Sequence, residues 1–189
     1  MPRSVISISY ADGAGGPEIA KLVAERLGFK YADGGIIVAA AQNEKMFPEA
    51  LSLAESRHAG RRIEVDFNRS ESTESLRALI REAVVAAADE GDVVISAHAA
   101  SFALTGRDDV LRVLVTASDD TRLRRFTEQD GADAKTASKR LNESDKGRAA
   151  YLKRFYGISN EVPTHYDLMI NTDSLSSDEA VDVIVGAAK

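Results

Sequence analysis

The stretch ISISYADGAGGPEIAKL, residues 6–22, changes its hydrophobic period midway. From Ser4 to Ser9 β-branched and small residues alternate, as in a buried strand. After Pro17, the residues Ile19, Leu22, Val23 and Leu27 fall on one helical face, which Gly28 is placed to end. Gly13, Gly15 and Gly16 lie between. A strand that passes through a glycine-rich turn into a helix brings backbone N–H groups close to a phosphate. The full pattern G-x-x-x-x-G-K-[ST] adds a lysine for the β- and γ-phosphates and a hydroxyl for magnesium. This chain keeps part of it: Gly15 fits the second glycine, Tyr10 stands at the first, Gly16 replaces the lysine, and neither Pro17 nor Glu18 offers a hydroxyl. Pro17 suits a first helical position, so the anion-attracting helix N-terminus is retained. On this stretch alone, a working phosphate loop and a turn without a ligand both remain open.

Working outward, a short strand is expected around Phe29–Tyr31 and a helix from Ile36, while residues 46–72 are polar and weakly periodic. Leu76, Leu79, Ile80, Ala83, Val84 and Ala87 form an apolar stripe closed by DEGD. VVIS (residues 93–96) and VLRVLVTA (110–117) read as buried strands flanking a short helical piece at 99–104. YDLMINT (166–172) is strand-like, and a terminal helix is expected over 177–188. Strands alternating with helices predict an α/β fold, a parallel sheet covered on both faces. The charged helical stretch 119–157, broken near DGAD, is a candidate lid within a single domain spanning 1–189.

The chain has 189 residues, 44% of them hydrophobic, enough for one domain with a real core. Its formal charge of −6 argues against a nucleic-acid partner. Basic residues modestly outnumber acidic ones between Arg107 and Gly157, which suits small anionic ligands. There is no cysteine, so disulfides, thiolate metal sites and cysteine nucleophiles are excluded. The amino-terminal apolar run is too short for a signal peptide, and no stretch is long enough to span a membrane. A cytoplasmic protein without a membrane partner is the expectation.

The order of motifs resembles the cytidylate kinase-like family, relatives of the nucleoside monophosphate kinases. SYADGAGGPEIA (9–20) follows the family's S-R-E-x-G-S-G-G-R-E-I-A, and LGFKYADGGII (27–37) its L-G-x-x-x-Y-D-x-x-I-I. VISAHAASFAL (94–104) matches V-I-x-G-R-G-A-x-Y-x-L, and RLNESDKGRAAYLKRFYG (140–157) closely follows R-x-x-x-x-D-K-x-R-A-x-Y-x-x-x-F. The resemblance covers the chain apart from about 46–72. It implies a P-loop kinase-like three-layer fold that transfers phosphate from ATP, with Mg2+, to a pyrimidine monophosphate. It places the ATP phosphates at Gly13, Ala14, Gly15, Gly16, Pro17 and Glu18, and the acceptor near Asp33 and His98. Arg140, Lys146 and Arg148, with Arg154 beside them, would supply lid charge in transfer, and Asp145 would orient a base. Nucleotides are the implied partners, and a homo-oligomer is open.

The chain departs from the family at charged positions. Pro17 replaces the arginine that follows the glycines, and Ala97, His98 and Ala99 stand for Gly-Arg-Gly. Electrostatic contacts in such sites are worth roughly 3–4 kcal/mol each, so the fold is expected to persist with weakened catalysis. Glu18 reads either as a metal ligand or as a first-turn acid complementing the helix dipole. Asp33 is an acceptor contact or a cap, and His98 a phosphate partner or a buried hydrogen-bonded residue. The lid's basic run reads first as charge for phosphate, with a solvated, ion-paired face as the alternative, and Tyr151, Phe155 and Tyr156 suit packing. Three functions compete: a nucleoside monophosphate kinase-like enzyme, a nucleotide-binding protein without turnover, and a related kinase acting on another phosphorylated metabolite.

Overall fold

The computed structural model describes residues 3–33, 70–97, 99–131 and 133–189. The expected helix from Ile36, nearly all of 46–72, and His98 lie outside them. Five strands form one sheet: β1 (Val5–Tyr10), β2 (Lys30–Asp33), β3 (Val93–Ser96), β4 (Val110–Thr116) and β5 (Leu168–Asn171). The order is β2-β3-β1-β4-β5 and every neighbouring pair is parallel. Parallel strands require crossovers, which here contain α1 (Gly16–Leu27), α2 (Ser70–Asp89), α3 (Ala100–Ala103), α4 (Asp119–Asp130) and α5 (Ala134–Tyr156); α6 (Ser177–Ala188) follows the last strand.

β1 is central because it can be buried on both faces. Ile6 and Ile8 pack with Val94, Val113 and Val115 beneath α1 and α6, whose Ile19, Val23, Val181 and Ile184 close that layer. On the opposite face Val5 joins Ile95, Val84, Ala88 and Leu104 under α2 and α3. Sheet and helices therefore form three layers, as the alternating pattern predicts. Of the expected α2 stripe, Ala83 and Val84 are buried and Ala87 packs at its margin; the side chains of Leu76, Leu79 and Ile80 are outside the described set.

One boundary differs from expectation for a clear reason. The Phe29 N–H donates to the Ala24 carbonyl at 2.9 Å while Gly28 sits at φ 69°, so Phe29 completes the α1 cap and the strand starts at Lys30. The 119–157 stretch is a helical hairpin: Gly131 ends α4 in a left-handed conformation, and the Asp133 carboxylate caps α5 by accepting from Lys135 and Thr136 N–H. No helix among the described residues is long and apolar enough to cross a membrane.

Ala99 begins α3 at φ 61°, and its N–H donates to the buried Ser9 hydroxyl at 3.1 Å. A left-handed alanine is disfavoured by roughly 1–2 kcal/mol, partly offset by the extra backbone entropy that glycine loses on folding. Ala99→Gly should therefore leave stability unchanged or raise it by up to about 1 kcal/mol in chemical denaturation. A clear loss would show that the methyl group is needed for packing.

Candidate functional site

The carboxyl end of β1 opens into the glycine turn between β3 and β4. Ala11 N–H still pairs with the Val115 carbonyl at 3.0 Å; then Gly13 at φ 83° and Gly15 at φ 84° turn the chain into α1. Gly13 is required twice over, because a Cβ there would lie 3.1 Å from Arg122 Cβ and 3.2 Å from the Arg122 carbonyl oxygen. No side chain caps α1, and Pro17 brings no N–H. The first amides of the helix are left for an outside acceptor.

Every carbonyl from Tyr10 to Gly15 has a donor. Tyr10 O accepts from Arg148 Nη1 at 2.8 Å, Asp12 O from Arg122 Nε at 2.7 Å, and Gly13 O from Arg125 Nη1 at 3.1 Å. Ala14 O accepts from the Thr172 hydroxyl at 2.9 Å; Ala11 O and Gly15 O accept from Ala14 and Ile19 N–H at 3.0 and 3.1 Å. The amides of Gly13, Gly15 and Gly16 have no acceptor among the described residues. Donors thus remain where an anion would sit, the reverse of what a merely closed turn requires.

Two of the three arginines behind the loop, Arg122 and Arg148, are themselves paired with carboxylates. Arg122, 5% exposed, forks onto Asp145 at 3.1 and 2.5 Å, and Ser144 donates to the Asp12 carboxylate, so α5 is fastened to both α4 and the loop. Arg148 forks onto Glu161 at 2.8 and 2.7 Å, and the Tyr166 hydroxyl donates to the same carboxylate. Burial alone would raise the Glu161 carboxyl, but hydrogen bonds and charge from Arg148 outweigh it and hold it below its ordinary value. Burial, then the Glu161 contact, pushes the Tyr166 phenol well up, keeping it a neutral donor.

The structure brings the residues named for ATP together as the turn and first helical turn, with Pro17 and Glu18 exposed at its lip. Asp33 ends β2, half-buried and in register with Ser96. Arg148 lies under the loop, on Tyr10 O and Glu161. Arg140 and Lys146 are exposed on α5, with the Arg140 guanidinium 5.0 Å from the Phe126 ring centre. Asp145 serves Arg122. Tyr156 packs on Phe102, with ring centres 5.5 Å apart, and Tyr151 on Phe155 at 4.7 Å. Sequence reasoning missed Arg122, Arg125, Thr172 and Glu161. The signal was present for the first two: in TRLRR, residues 122 and 125 share a helical face at i, i+3.

Tyr10 and Gly16 are coupled. A Cβ at 16 would fall 2.2 Å from Tyr10 Cβ and 2.3 Å from its Cγ, so the loop lysine cannot be restored while the tyrosine stands. Gly16→Ala should cost at least about 2 kcal/mol by overpacking. In the Tyr10→Gly background, which removes the Cβ as well as the ring, the same change should cost far less, a coupling that a double-mutant cycle reads directly. Glu161→Gln, which leaves Arg148 charged and buried, should cost about 3 kcal/mol at neutral pH. Because the folded Glu161 pKa is depressed, the pair's contribution is present at neutral pH and lost as pH falls through that value. Wild type should therefore lose stability in acid more steeply than Glu161→Gln; parallel acid profiles would contradict this.

Solved structures share the fold. A crystal structure of a protein from Eubacterium ventriosum matches with a TM-score of 0.75 at 19% identity, covering 98% of both chains. Shikimate kinase from Bacteroides thetaiotaomicron matches with a TM-score of 0.58 at 16% identity, covering 97% of both. In sequence, cytidylate kinase of Pyrococcus horikoshii is 31% identical over 100% of this chain and 90% of its own. That of Methanopyrus kandleri is 27% identical over 97% and 92%. The family model matches residues 5–174, and with the P-loop kinase-like sheet and loop in place, the chain belongs to the cytidylate kinase-like family.

Proposed function

We propose that this chain is a nucleoside monophosphate kinase-like phosphotransferase that takes its phosphoryl group from ATP and delivers it to a pyrimidine monophosphate. The observation that carries the reading is the turn at 12–16, where the carbonyls from Asp12 to Gly15 all have donors while the amides of Gly13, Gly15 and Gly16 have no acceptor among the described residues, at a helix N-terminus that no side chain caps. That arrangement fits a polyphosphate through the backbone alone. Magnesium would enter with the nucleotide, held by phosphate oxygens and water, since positions 17 and 18 carry no hydroxyl and Mg2+ keeps several waters in most such sites. It would neutralise charge on the transferring group.

The chain's own part is positioning. The loop amides would orient the donor phosphates, and the α4–α5 hairpin, tied to the loop through Arg122, Asp145 and Ser144, would exclude water from the transfer. Asp33, at the carboxyl end of β2 with β3 between it and β1, would serve the acceptor. Arg140, Lys146 and Arg148 are the proposed cations; Arg148 would turn to an acceptor phosphate only by exchanging Glu161 for it.

That exchange supports a second reading, a nucleotide-binding protein without turnover, because the most buried candidate cation already holds a carboxylate. Two results separate them. CMP-dependent ADP formation from Mg-ATP, above the rate without acceptor, is expected for the enzyme. Saturable ATP binding with no acceptor-dependent ADP formation, across CMP, UMP and dCMP, would favour the second reading.

A further inference from the structure

We infer that Thr172, held by Arg125, is a positioning residue that aims the Gly15 amide of the glycine turn, an inference that rests on the proposed phosphate site. In a trans peptide the C=O and N–H point opposite ways, so whatever draws a carbonyl outward aims the following amide inward. The Gly15 amide belongs to the Ala14–Gly15 peptide, whose carbonyl is held by the Thr172 hydroxyl at 2.9 Å. The Gly13 amide belongs to the Asp12–Gly13 peptide, whose carbonyl is held by Arg122. Only the Gly16 amide is aimed by the helix itself, through Ile19 N–H on Gly15 O.

Thr172 follows β5, is 3% exposed, and is oriented by Arg125. Arg125 Nη1 donates to the Thr172 hydroxyl oxygen at 2.9 Å and to Gly13 O at 3.1 Å, while Nη2 donates to the Thr172 carbonyl at 2.8 Å. With its oxygen already accepting, the hydroxyl has one proton to give; Ala14 O at 2.9 Å is nearer than Thr116 O at 3.3 Å. Glycines at positive φ on both sides of Ala14 make these peptides easy to rotate, so the outer hydrogen bonds select the orientation. A loop without a lysine gains affinity by having its amides already aimed. The consequence is specific: these residues act on phosphate affinity without touching phosphate.

The test is calorimetric titration of inorganic tripolyphosphate, and separately of Mg-ATP, into the full chain and its variants, with thermal midpoints measured alongside. Thr172→Val, which keeps shape and removes the hydroxyl, should weaken tripolyphosphate binding about tenfold, while Thr172→Ser stays within about threefold of wild type. Arg125→Lys, which keeps charge but loses the fork, should also weaken it and serves if Thr172→Val fails to fold. Arg112→Ala, which breaks the distant fork on Asp167, should lower the thermal midpoint and leave affinity unchanged. Thr172→Val or folded Arg125→Lys binding like wild type would overturn the positioning role while leaving the proposed function standing. Wild type that binds Mg-ATP but not tripolyphosphate would also overturn it. Binding of neither would remove both.

Discussion

Peptide orientation in the turn from Tyr10 to Gly15 is the constraint on which the rest of this structure depends. A buried carbonyl needs a donor, and of six consecutive ones here five find theirs on α1, α4, α5 and the residue after β5, while Ala11 O accepts from Ala14 N–H within the turn. Satisfying them draws those elements together at the carboxyl edge of the sheet. It also leaves the amides facing the other way. One set of hydrogen bonds therefore docks the helical hairpin and creates the anion-receptive surface.

Arginines in kinase sites are usually considered for the charge they offer a phosphate. In this chain Arg122, Arg125 and Arg148 instead spend donors on main-chain carbonyls, and Asp145 and Glu161 occupy the forks of Arg122 and Arg148. Buried pairs of this kind contribute little net stability, because desolvation consumes much of the Coulomb gain, but they are costly to break from one side. Their effect is geometric: each holds an element in register with the loop. Tyr10 extends the same logic, filling the space above Gly16 so that the turn is closed to a side-chain cation and open only along its backbone.

Much of the fold was legible because its signals are local. The strand-turn-helix at 6–22, the Gly28 cap and the terminal helix over 177–188 each follow from period and capping residues, and they stand where expected. Phe29 was misplaced because a helix-capping hydrogen bond and a strand start compete for the same residue. The glycine turn was also legible as a candidate phosphate site. Its supporting layer was not: Arg125 meets Gly13 and Thr172 across 112 and 47 positions of sequence, and no spacing rule reaches that far. Arg148 stands in a motif and carries an obvious charge, whereas Glu161, which decides what that charge does, lies 13 positions on and outside every motif.

The most direct measurement is the backbone amide spectrum of the labelled chain during titration with Mg-ATP. Saturable, concerted shifts are expected, centred on the amides of Gly13, Gly15 and Gly16, with smaller ones at Arg125 and Thr172 as the outer hydrogen bonds respond. Shifts confined to other surfaces, or an unmoved turn at saturating nucleotide, would contradict the claim that these peptides are aimed at phosphate.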